Sequence, residues 1–135
     1  MTLKKITANF NGAKVLVAED YFVNQELTKE ILELMGCVVD VASDGMEALS
    51  KYKESQYDLI LMDIQMPIMD GYEATKAIRE IEQSSDGRIP IIAVTANALN
   101  GDREACIAAG MDDYISKPIK GESVEDTLKK FINEI

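Results

Sequence analysis

Apolar residues along this chain recur with two alternating periods. Short runs rich in Val, Ile and Leu, at Val15–Ala18, Val38–Ala42, Leu59–Asp63, Ile89–Thr95 and Asp113–Ser116, are bounded by turn or charged residues and predict five strands. Between them the apolar positions take helical spacing. Val23, Leu27, Ile31 and Leu34 form one such set, Ala74, Ala77, Ile78 and Ile81 a second, and Val124, Leu128, Phe131, Ile132 and Ile135 a third. Gly36 and Gly110 stand where helices should stop, and Asp44 with Glu47 resembles a cap that opens one. The pattern is therefore (βα)5. Strands that are apolar throughout imply a parallel sheet covered on both faces, an α/β doubly wound three-layer sandwich.

Residues 1–12 carry polar punctuation (Asn9, Asn11, Gly12) and no apolar repeat, so they are expected to be a linker or tail before one domain over 13–135. A chain of 135 residues is long enough to bury a core without disulfides. Cys37 and Cys106 have no metal-ligand spacing and are expected to be small core residues. No apolar stretch reaches the ~20 residues of a membrane span, and no signal peptide opens the chain, so a cytoplasmic location without direct membrane contact is expected. The net charge of −10 argues against a nucleic-acid surface.

The chain has no histidine, and this narrows the chemistry further. Ser/His and Cys/His nucleophile pairs are excluded, as are histidine-bearing zinc sites. What remains is carboxylates, lysine, hydroxyls or a bound cation. In a doubly wound sheet the binding crevice lies at the carboxyl ends of the strands. The first predicted strand ends on Glu19 and Asp20, the third on Asp63, the fourth on Thr95, and the fifth on Lys117 followed by Pro118. Taken singly, each is an ordinary strand-end residue. Together, three carboxylates repel by roughly 4 kcal/mol per pair at ~4 Å, so one must protonate or a cation must bind. An all-oxygen set favours Mg2+, which commonly shares its shell with a phosphate oxygen. Lys117 and the Thr95 hydroxyl can satisfy the remaining phosphate oxygens, which marks a phosphoryl site with Asp63 as nucleophile.

The wording VLVAED, DLILMDIQMPIMDGYEA, PIIAVTANAL and GMDDYISKPI resembles receiver domains of two-component signalling. It is most similar to those of hybrid sensor histidine kinases, from about Lys14 to the C-terminus. The resemblance implies a flavodoxin-like sheet of strand order 2-1-3-4-5 and a phosphoryl group taken from a partner phosphohistidine. It further implies Asp63 as phosphoacceptor, Glu19 and Asp20 as metal-site acids, and the Gln65 carbonyl as a further metal ligand. By the same likeness Thr95 is the switch hydroxyl, Lys117 the phosphate-contacting lysine and Tyr114 a rotating aromatic. Ala96 leaves access to the phosphoryl group, and Lys117–Pro118 is a cis peptide. The partner implied is a histidine kinase or a histidine phosphotransfer protein, with the chain a monomer or weak dimer and either a stand-alone receiver or a piece of a hybrid kinase.

Two departures stand out. Glu19 replaces the more usual Asp, which suggests that it reaches a metal through water or steers Lys117. Tyr21 replaces the subgroup's Asn, and its ring could cover the site mouth. A small phosphatase of the haloacid dehalogenase type also uses an Asp nucleophile and Mg2+, but requires an acid where Gln65 stands. A receiver-like module that binds a partner without being phosphorylated is the remaining alternative, weakened by the presence of the whole residue set.

Overall fold

A computed structural model of the chain describes residues 9–85, 87–96 and 103–132. Five strands alternate with five helices: β1 (Lys14–Ala18), α1 (Phe22–Leu34), β2 (Val38–Ala42), α2 (Gly45–Glu54), β3 (Leu59–Asp63), α3 (Gly71–Glu82), β4 (Ile91–Thr95), α4 (Arg103–Ala109), β5 (Asp113–Ser116) and α5 (Gly121–Phe131). All strand pairs are parallel, in the order β2-β1-β3-β4-β5. This is the doubly wound sheet that the alternating periods predict.

Successive strand residues feed opposite cores, which is why the strands are apolar at every position. Val15, Val17, Leu59, Leu61, Ile92 and Val94 pack with Leu32 of α1 and Val124 and Leu128 of α5. On the other face Leu16, Ile60, Met62, Ile91 and Ala93 pack with Ala48 of α2, Ala74 and Ile78 of α3 and Cys106 of α4. Cys37 and Cys106 are both buried and lie in no disulfide. Gly36 and Gly110 have φ of +81° and +102°, the left-handed geometry that ends a helix.

Three sequence expectations need correction. Strand β4 begins at Ile91 and not Ile89, because Pro90 has no N–H for the ladder; the Ile89 N–H goes to Glu82 Oε2 at 2.6 Å instead. Helix α1 exists, but of its apolar set only Ile31 packs on the core. Val23, Leu27 and Leu34 are exposed, while Gln25, Thr28 and Leu32 are buried. The inner face lies one residue further on, about 100° around the helix. Its site-proximal end is polar because it meets loop backbone that needs hydrogen-bond partners. In α3, Ile81 lies at the surface and Glu82 is buried against Arg79.

Phe10, within the expected linker, is buried in the core beneath α1, and its N–H donates to Met35 O at 2.8 Å. Residues 1–8 of that segment and Ile135 lie outside the described residues. Among the described residues no helix is long and apolar enough to cross a membrane.

Candidate functional site

The carboxyl ends of β1, β3, β4 and β5 open onto a cleft of about 660 Å³ lined by Asp20, Asp63, Gln65, Thr95, Ala96 and Lys117. Asp63 is the last residue of the fully buried strand β3 and is itself 3% exposed. Its Oδ2 accepts from Lys117 Nζ at 2.8 Å and its Oδ1 from the Gln65 N–H at 3.1 Å. The backbone there leaves no room for a side chain at Gly71: a Cβ would overlap the Asp63 carbonyl, and the Gly71 N–H donates to Ile64 O at 2.9 Å. Gly71 thus does more than complete an Asp-Gly turn. It lets α3 start against the strand end that carries Asp63.

Between Asp63 and α3 the loop makes a tight turn at Ile68, where φ is +70° and the Met69 N–H reaches Pro67 O at 2.7 Å. Asp70 then opens α3 through a reciprocal capping box with Glu73. Met62 is fully buried, and Met66 and Met69 pack against the α2–α4 core.

Glu19, Asp20 and Asp63 each offer a carboxylate oxygen within 4.8 Å of the other two. Glu19 is 4% exposed; its Oε1 lies 3.6 Å from Lys117 Nζ and its Oε2 accepts from the Tyr21 N–H at 3.0 Å. Burial, and then the hydrogen bond with Glu19, raise the Asp20 pKa above its usual value. For Lys117, burial works downward but is outweighed by the hydrogen bond and charge of Asp63, with Glu19 and Asp20 adding, so its pKa is raised. Three crowded carboxylates facing one lysine form an all-oxygen donor set with surplus negative charge, which fits a hard divalent cation.

Thr95 ends β4 buried at the cleft wall, and Ala96 is exposed beside it. The Lys117–Pro118 peptide is cis. Tyr114 is not brought into the cleft. It pairs with Ala93 in the sheet and half-buries its side chain in a cavity of about 100 Å³ that Cys106 and Met111 also line. Tyr21 is 58% exposed and does not line the cleft, so its ring does not cover the mouth.

Residues 15–129 match the sequence profile of the response regulator receiver domain. The chain belongs to that family. This receiver domain is 51% identical over 130 residues to hybrid signal transduction histidine kinase I of Dictyostelium discoideum, a match covering 90% of the chain and 8% of that kinase. The chain therefore spans under a tenth of that relative's length. Among solved structures, the receiver domain of a Pseudomonas aeruginosa sensor histidine kinase, determined with a magnesium ion in its active site cleft, is 43% identical with a TM-score of 0.79, covering 89% of this chain and 97% of that one. The receiver domain of yeast Ssk1, solved with the histidine phosphotransfer protein Ypd1, is 29% identical with a TM-score of 0.85, covering 90% of each.

Sequence reasoning did not single out Gln25. Its buried side-chain amide donates to the Glu19 carbonyl at 2.5 Å and to Ser43 Oγ at 3.1 Å. The only signal for it is a polar residue on the inner face of α1, legible once that face is correctly placed.

Proposed function

We propose that this receiver domain accepts a phosphoryl group onto Asp63 from the phosphohistidine of a histidine kinase or histidine phosphotransfer protein. The observation that carries this is the Asp63 carboxylate, buried at a strand end, tied to Lys117 and crowded by Glu19 and Asp20. Asp20, Asp63 and the Gln65 carbonyl would hold Mg2+, with Glu19 steering Lys117 or reaching the ion through water. When bound, the cation neutralises the carboxylates and the incoming phosphoryl oxygens.

An Asp63 oxygen attacks phosphorus, the P–N bond to the histidine breaks, and the imidazole leaves with that electron pair and takes up a proton. Lys117 then balances charge on a phosphoryl oxygen, Thr95 donates its hydroxyl to another, and Ala96 leaves room for the group to enter. Attack of water on the acyl phosphate later restores Asp63. The chain is a signalling switch in this reading, catalysing only its own phosphorylation and slow dephosphorylation. It is read as the cytoplasmic receiver portion of a hybrid histidine kinase, the domain expected over 13–135 being extended back to include Phe10, with the linker before it. Drawing Thr95 toward the phosphoryl group frees space into which Tyr114 can rotate, altering the face formed by α4, β5 and α5.

The test uses acetyl phosphate with Mg2+ and intact-mass measurement. The wild type should gain one phosphoryl group, and chelation or Asp63→Asn should prevent it. An equal gain in Asp63→Asn would show that another residue is the acceptor.

A further inference from the structure

The acids of the site differ in how they are held. Asp63 is fixed by a buried strand, whereas Asp20 is exposed and sits in the short connection between β1 and α1. Its carboxylate has a hydrogen bond with Glu19, itself a neighbour in the same connection, so its aim depends on the backbone beneath both. Helix α1 contributes little from its own terminus, since Tyr21 at its start makes no side-chain cap and its first turn carries no acid. Instead the connection is tied at separate points. The Glu19 N–H donates to Ala42 O on β2 at 2.9 Å, and the Tyr21 N–H donates to Glu19 Oε2 at 3.0 Å. The Glu19 carbonyl, which belongs to the peptide unit leading directly into Asp20, accepts from Gln25 Nε2 at 2.5 Å.

Gln25 is 8% exposed, and the same amide nitrogen also donates to Ser43 Oγ at 3.1 Å. Ser43 follows the end of β2 and precedes Asp44, whose side chain caps α2 by accepting from the Glu47 N–H. One amide group with two hydrogens therefore meets two acceptors and links the ends of β1, α1 and β2. Further along the same inner face come Thr28 and then the apolar Leu32 and Met35, all buried. A residue serving packing alone could be apolar at position 25 as well. Rotation of the Glu19–Asp20 peptide would swing the Asp20 side chain, and the Gln25 amide is aimed at the oxygen that such a rotation would displace.

We propose that Gln25 is a positioning residue for the metal site, fixing the peptide that aims Asp20 at the cation. The inference rests on Asp20 and Asp63 being metal acids, and the experiment separates the two claims. Mg2+ is titrated into the wild type, Gln25→Met and Leu32→Val, following the Asp20 and Asp63 backbone amides by NMR, with thermal midpoints measured in parallel. Loss of a group that orients a ligand typically weakens metal binding by about 10- to 100-fold. Gln25→Met should therefore raise the Mg2+ Kd by about tenfold or more. Leu32→Val lowers the thermal midpoint through packing and should keep the wild-type Kd within about twofold.

A folded Gln25→Met with the wild-type Kd overturns the proposal. The wild type supplies a second measurement that needs no variant. Its Gln25 side-chain amide resonances should shift along the same Mg2+ isotherm as the Asp20 amide, and resonances that stay still would equally overturn it. A wild type that binds no Mg2+ at these residues would remove the reading of the site itself, and this inference with it.

Discussion

At the scale of single residues, the site is a balance of burial against charge around Lys117. Burial alone would disfavour the ammonium, but the Asp63 contact at 2.8 Å and the neighbouring acids overcome it and raise its pKa. Asp63→Asn removes the strongest of the raising partners while leaving the burial, so the Lys117 pKa should fall below its wild-type value in an NMR titration of the side chain. An unchanged value would mean that Glu19 and Asp20 hold the lysine by themselves. A raised lysine stabilises the fold fully below its unfolded pKa near 10.5, and that contribution is lost as pH rises through the higher folded value. Asp20 is raised as well, but there the form that costs stability is the charged one, and the loss begins in the acid range. Its raised pKa means that ionisation above 3.8 costs stability, so Asp20→Asn should raise the thermal midpoint at neutral pH without Mg2+. The same change should abolish any rise in midpoint that Mg2+ produces in the wild type, and a destabilised Asp20→Asn would refute the account. Asp20, Asp63, Thr95 and Lys117 were legible in the sequence because a parallel sheet delivers its strand ends to one edge. Gln25 was not, since a glutamine in a helix carries no pattern until the inner face is known.

At the scale of elements, α1 shows what periodicity can and cannot decide. Four apolar residues at helical spacing revealed the helix, yet only Ile31 of them packs on the core, while Val23, Leu27 and Leu34, with neighbouring Phe22, are exposed. The inner face carries Gln25 because that end meets polar loop ends beside the cleft. Hydrophobicity would rank the site-proximal part of that face lower, so helical spacing reveals the helix without locating its inner side. The exposed stripe adjoins the site: Leu27 lines a small pocket that Glu19 and Lys117 share. In the proposed function a phosphohistidine-bearing partner brings its imidazole to Asp63, and the apolar surface beside the cleft is where it would seat. Phe22→Ser with Leu27→Ser should slow phosphotransfer from a phosphorylated histidine phosphotransfer protein by about tenfold, given that buried apolar anchors carry over 1 kcal/mol each. Phosphorylation by acetyl phosphate should stay within about twofold, because neither side chain carries charge into the cleft. Slowing of both reactions alike would place the effect on Asp63 chemistry and not on docking.

At the scale of the whole molecule, the two ends of the sheet do different work. Arg79, in the last turn of α3, lies at the amino ends of the strands, where it is 13% exposed. It donates to Glu82 Oε1 at 2.7 Å, Asp112 Oδ2 at 2.8 Å, Ile89 O at 2.8 Å and Gly110 O at 2.9 Å, while Asp112 also accepts from the Ile91 N–H at 2.9 Å. One guanidinium thus ties the end of α3 to the starts of β4 and β5. Strands of five residues at ~3.3 Å each put roughly 15 Å between this cluster and Asp63, beyond the ~10 Å screening length at 0.1 M salt. Removing one member of a largely buried charged cluster typically costs about 3–5 kcal/mol, and partial exposure places Arg79 at the lower end. Arg79→Met should therefore lower unfolding stability by about 3 kcal/mol in a denaturant titration with unchanged m-value. Its Mg2+ Kd should remain within about twofold of wild type, whereas Asp20→Asn should lose Mg2+ binding without losing stability. This crossed result is expected because the amino ends of the strands carry the satisfied ion pairs, while the carboxyl ends keep three carboxylates crowded around one lysine. A Mg2+ affinity that fell with stability in Arg79→Met would show that the two ends are coupled through the sheet and would refute the division.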